Sequence, residues 1–254
     1  MNHRVLAIAL NSFREIYRDR FFLILLMGVI GFFILSILLG EMSFEEHNRI
    51  LFDLGVSAIH WLNLGVCIFI GGGSLRRELD RQTYMTLLST PLSRPELLVG
   101  KFIGIFSVAL FSTILLGGGL FMLLKTWGAL SNFIIIIIGI LVESSILLML
   151  SLLLSLVVSP FVGIFASLGI YLMGHWLESL KYFASKANSV FYFGFSEFMD
   201  WTLPNLYRLN WRSPYVLEAG LGFDIFGASI FHGIGWVVIL AVIATVIFNR
   251  KNLI

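Results

Sequence analysis

Hydrophobic positions in this chain run on without alternation, and the runs are long. Residues 21–40, 54–73, 102–124 and 226–248 each pass without a formal charge, and about 20 apolar residues carry a helix across the hydrocarbon core of a bilayer. A fifth apolar tract, 133–177, is too long for one crossing and is interrupted by Glu143 and by Ser159-Pro160. Proline lacks the amide donor that a continuing helix uses, so the tract divides at Pro160 into spans 133–158 and 161–177. One kinked pair of unequal spans is the other reading. The pattern therefore predicts an all-α polytopic membrane protein with six transmembrane helices, forming one transmembrane unit over 1–254.

Ahead of the first span the period changes to that of an amphipathic helix. Val5, Leu6, Ala9, Leu10, Phe13, Ile16 and Tyr17 fall on one face, and Arg4, Asn11, Arg14, Glu15 and Arg18 on the other. Residues 1–20 are expected to lie along the membrane surface. A cleavable signal peptide is not expected, because charge continues to Arg20 with no small-residue cleavage site after a short apolar core.

Composition agrees with lipid as the solvent: 58% hydrophobic residues, 13% charged and a mean hydropathy of +0.95, against about 25% charged residues in soluble domains. A net charge of +2 gives no reason to expect nucleic acid, and a single cysteine, Cys67, allows no internal disulfide. The basic residues set an orientation. Arg4, Arg14, Arg18 and Arg20 precede span one, Arg76, Arg77, Arg81, Arg94 and Lys101 lie between spans two and three, and Arg250 and Lys251 close the chain. Lys and Arg are retained in cytoplasmic loops, so both termini are expected inside. The segment 178–225 then lies outside. Its many aromatic residues, Trp211 and Tyr207 among them, suit one or two short helices lying on or dipping into the outer leaflet, broken at Pro204 and Pro214.

The segment 74–101, SLRRELDRQTYMTLLSTPLSRPELLVGK, groups most of the chemistry. Residues 75–89 contain neither proline nor glycine and suit a helix leaving the membrane, and Thr90-Pro91 ends it. Ser93-Arg94-Pro95-Glu96 fits a capping box that opens a second helix leading directly into span three. Helix, sharp turn and helix, with apolar residues between charges, have the makings of a docking surface.

These residues carry a resemblance. Arg77-Glu78-Leu79-Asp80-Arg81-Gln82-Thr83, then Leu87-Leu88-Ser89-Thr90-Pro91-Leu92-Ser93-Arg94 and Gly100-Lys101, are similar to the signature of permease subunits of type 2 (exporter-like, ABC-2) ABC transporters. Gln82 departs from it, since many members carry glycine there, and is closer to a compact six-span subgroup found beside separate ATPases. The resemblance implies a subunit of the cell inner membrane that couples ATP hydrolysis to export. Its implied partners are cytoplasmic ABC ATPase subunits, which would hold ATP and Mg, and a second permease subunit, identical or not. It also implies ATPase-coupling roles for Arg77, Glu78, Arg81, Thr83, Leu87, Leu88, Pro91, Ser93 and Arg94. No GxxxxGK[ST] phosphate loop occurs in the sequence, so the chain is expected to bind no cofactor and to have no catalytic residues of its own.

Inside the spans Glu143 stands out, because a carboxylate in mid-membrane is costly and should not face lipid. Two readings stay open for it, with Ser144 beside it: a contact on the substrate path, or a protonated glutamate hydrogen-bonded to another span. His60 and Asn63 in span two, and His232 in span six, are expected to bond between helices. The histidines show no metal-ligand spacing. Two other functions compete with transport: a permease-like scaffold that passes ATPase motion to an external partner, and an intramembrane enzyme pairing Glu143 with His60 or His232.

Overall fold

The structure, a computed structural model, describes residues 2–42, 47–80, 93–124, 130–187, 190–212 and 223–250. Among them every regular element is helical and none is a strand. Helix α1 spans Asn2–Tyr17, α2 Arg20–Met42 and α3 His47–Gly65. A π-helical turn, Val66–Ile70, leads into α4, Gly71–Asp80. Then follow α5 (Arg94–Leu123), α6 (Leu130–Val157), α7 (Pro160–Lys186), α8 (Val190–Thr202), a 3₁₀ turn (Leu206–Leu209) and α9 (Phe223–Arg250). Six helices are long and apolar enough to cross a membrane.

The second crossing, His47–Leu75, is central: 78% of its most apolar stretch is buried, against 17% for α2 and for α9. Lipid is as apolar as leucine, so hydrophobicity does not hold such helices together. Close packing at small residues and interhelical hydrogen bonds do. A Cβ on Gly55 would stand 2.5 Å from Leu120, and one on Gly233 would stand 2.4 Å from Val142, so these glycines set how near the helices come. The π turn is anchored in the same way. Its Cys67 carbonyl accepts a hydrogen bond of 2.7 Å from Ser151 Oγ on α6, a partner from outside the helix for a backbone group that the wider turn displaces.

Local signals account for the helix ends. The α6 helix stops at Val157, and α7 opens at Pro160 behind Ser159 in extended geometry, where a missing amide costs nothing. At the start of α5 the Ser93 backbone N–H donates to Glu96 Oε2 at 2.9 Å, completing a capping box with Pro95 in the first turn.

Helix α1 docks on the first turns of α5. Ile8, Ala9 and Ser12 fill the notch left by Gly100 and Gly104, and a Cβ on Gly104 would come within 2.6 Å of Ser12. Lys101, itself 3% exposed, pairs with Glu15 at 3.6 Å. The apolar face read from the sequence is thereby divided. Ala9 and Ile16 are buried, while Leu6, Leu10 and Tyr17 remain exposed. Arg94 closes the same end of the bundle by donating to the carbonyls of Phe248 (2.6 Å) and Asn249 (3.0 Å) in the last turn of α9.

Among the described residues the stretch 178–212 holds one short helix that ends just before Pro204, as its composition suggested, and packs against the bundle. Helix α7 continues to Lys186, and α8 folds back along it. The chain then runs inward between α6 and α7. A Cβ on Gly174 would touch the Pro204 carbonyl at 2.8 Å, and one on Gly139 the Leu209 carbonyl at 2.8 Å. Leu206, Leu209 and Trp211 are buried, so Trp211 is a packing residue and not part of an interfacial belt. Non-helical backbone at this depth is tolerated because protein, not lipid, surrounds it.

Candidate functional site

Glu143 lies 13 residues into the 28-residue α6, about 20 Å along a helix rising 1.5 Å per residue. His60 is equally placed in the crossing His47–Leu75. Tyr171 and His175, one turn apart, bring a third helix to the same level, and the inward-running segment adds Arg212. Three helices and one loop thus meet at a single carboxylate.

Glu143 is 1% exposed. His175 Nε2 lies 2.8 Å from its Oε1, at hydrogen-bond distance. Arg212 Nη2 is 3.6 Å and His60 Nδ1 3.8 Å from its Oε2, within ion-pairing range and beyond hydrogen-bond length. The far nitrogen of His60, Nε2, is hydrogen-bonded to the Tyr171 hydroxyl at 3.0 Å. Tyr171 also packs edge-on against the His175 ring at 4.8 Å between centroids. The sum is a chain of polar groups, Arg212, Glu143, His175, Tyr171 and His60, enclosed in apolar helices. Arg212 supplies a fixed positive charge opposite the carboxylate, the arrangement by which a buried ion offsets its desolvation.

The other residues singled out from the sequence lie elsewhere. Asn63 is one turn from His60 and bridges helices: its Nδ2 donates to Thr113 Oγ1 on α5 at 2.7 Å and to its own helix at Ile59 O. Ser144 is spent on its own helix, donating to the Ile140 carbonyl at 2.6 Å. His232 packs edge-on against Trp236, one turn on in its own helix α9, and its Nε2 makes no hydrogen bond to another helix among the described residues, contrary to the expected interhelical bond. Among the described residues no group of three or more His, Cys, Asp or Glu is arranged to hold a metal ion. Arg77 and Glu78 belong to α4, Ser93 caps α5, and Arg94 joins α5 to α9. Arg81, Thr83, Leu87, Leu88 and Pro91 fall outside the described residues.

Three members of the cluster were not legible as site residues in the sequence. Tyr171 and His175 carried a usable signal, two polar rings at i and i+4 on one face of an apolar span. Arg212 carried none that spacing reveals, being 69 positions from Glu143 and set among aromatic residues. The one general signal was thermodynamic: a carboxyl group in mid-membrane needs a polar partner within the protein.

No protein-family profile matches this chain, and no curated protein is significantly similar to it.

Proposed function

We propose that this chain is the permease subunit of a type 2, exporter-like ABC transporter, driven by a separate cytoplasmic ATPase that binds the ATP and Mg. The observation that carries the reading is the joining of helix ends around the charged segment 74–101. Helix α4 leads into that segment while packed on α6 and α7, and α5 leaves it under a capping box. Helix α1 is seated on α5 at Gly100 and Gly104, and Arg94 ties α5 to the end of α9. Force applied to the turn therefore reaches four helices within one or two helical turns. A solvated loop kept for topology alone needs no such bracing.

In this reading both termini and the segment 74–101 face the cytoplasm, in keeping with the clustering of Lys and Arg. Helix α1 rests on the inner-membrane surface with Leu6, Leu10 and Tyr17 among the lipid headgroups. Two permease subunits pair around the pathway. The chain itself performs no catalysis. The Glu143 cluster is the internal tie that helix motion must loosen, and its Arg212 arm connects that motion to the segment on the far side. That connection also favours the scaffold reading, in which the stroke is passed to an external partner and nothing is moved.

The tagged chain, purified from its own cells, is expected to bring down a nucleotide-binding protein, and Leu88→Asp is expected to abolish this while leaving the helical content intact. A chain that copurifies with no ATPase would remove the transporter reading. Reconstituted vesicles separate the two variants of it: a scaffold hydrolyses ATP with an external partner present and moves no substrate.

A further inference from the structure

Along the outer half of α7, where α8 folds back on it, a cavity of about 400 Å³ opens sideways between Met173, Trp176, Leu180, Phe195, Met199 and Leu203. Its walls are apolar except at Ser179. A second cavity of about 460 Å³ shares Leu180 and Phe183 with the first and continues it to Lys186, Ala187 and Tyr192 at the end of the helix. Together they make one groove parallel to the helix axis. From Met173 to Lys186 it is about 20 Å long at 1.5 Å per residue. One leaflet measures about the same, half of a hydrocarbon core of roughly 30 Å plus its headgroup layer.

Chemistry along the groove changes in the order a phospholipid requires. The deep end is methionine, leucine and aromatic surface, while the outer end carries the Lys186 amine, 5.9 Å over the Tyr182 ring, beside the phenol of Tyr192. The other lysine of this region, Lys181, is held by Asp200 at 2.6 Å and pins α8 to α7 across the groove. That pairing leaves the floor rigid and the outer rim cationic. Trp176 (70% exposed) and Phe183 (67%) flank the opening toward the bilayer.

We propose that the groove between α7 and α8 is a binding site for a single anionic phospholipid, with an acyl chain lying along Met173–Leu180 and the phosphate at Lys186. The site needs the membrane and not the ATPase. A bound chain touches Leu203, the residue before Pro204, so its occupancy bears on the inward-running segment that ends at Arg212.

Native mass spectrometry of the detergent-purified chain, titrated with phosphatidylglycerol and phosphatidylcholine of identical acyl chains, tests this without any ATPase. The one-to-one phosphatidylglycerol adduct is expected to exceed the phosphatidylcholine adduct about fivefold, the effect of one lysine at a membrane surface. Lys186→Gln should bring the two adducts level. Leu180→Trp, which fills the groove, should reduce both, with circular dichroism and elution volume reporting that each variant is folded. Equal adducts in the unmodified chain, or adducts insensitive to both substitutions, overturn the proposal. Efficient disulfide cross-linking of two Phe195→Cys chains in vesicles also overturns it, since a second copy would then occupy the groove.

Discussion

Around Glu143 the energetics turn on one charge and its partners. Removing a partner from a buried ion pair costs about 3–5 kcal/mol because the remaining ion is left uncompensated. Arg212 is 20% exposed and relaxes partly toward water, so Glu143→Ala should fall at the lower end of that range. Glu143→Gln keeps a bond to His175 and should cost less. The informative comparison is a double-mutant cycle in detergent unfolding. Glu143→Ala with Arg212→Ala should be less destabilised than the sum of the two, by a coupling of about 0.5–3 kcal/mol; strict additivity would mean that the 3.6 Å approach is incidental. Tyr171→Phe removes the hydroxyl's bond to His60 and its interaction with Arg212, and interhelical bonds in membranes average about 0.6 kcal/mol. Its effect should be correspondingly small. Asn63→Leu belongs to a different contact, the bond to Thr113, and should add independently to the cluster variants.

At the scale of helices, glycine notches decide which elements stay in place. Gly104→Val would drive a side chain into Ser12 and the Ala9 carbonyl, so α1 should lift from α5, exposing Arg14 and Arg18 to trypsin severalfold faster while the six long helices persist. Gly174→Val acts on the far side. It would meet the Pro204 carbonyl and Leu206, displacing the inward-running segment and shifting the Trp211 emission to the red. Unchanged cleavage in the first variant, or unchanged emission in the second, would contradict the packing described. These two contacts also mark the limit of what the sequence discloses. Spans are legible because length without charge is a local property, and the break at Pro160 and the capping box at Ser93 are local as well. The path of residues 203–212 is not local. Its aromatic residues have the composition of a membrane-surface belt, and only the facing Gly139 and Gly174, each unremarkable among 24 glycines, make room for it in the bundle. For the same reason Glu143 was visible as an anomaly while its partner Arg212 was not.

For the whole molecule, the two ends of the bundle divide the labour. One end gathers α1, the start of α5 and the end of α9 beside the charged segment 74–101; the other folds α8 and the 3₁₀ turn back into the helices. Between them lies the polar chain from Arg212 to His60, midway along α3, α6 and α7. In the proposed reading a push on the segment would be transmitted as tilting of rigid helices, and the cluster is the point at which three of them share a bond network. Leu88→Asp alters the proposed contact with the ATPase, and the helical content of the variant, read beside its activity, separates coupling from stability. The most direct measurement is the ATP hydrolysis rate of the copurified complex in vesicles, with the unmodified chain and with Leu88→Asp. The account predicts that the unmodified chain sustains hydrolysis and that Leu88→Asp reduces it at least about tenfold, the loss expected when roughly 1.4 kcal/mol of an interface anchor is removed. Equal rates with both chains would contradict it.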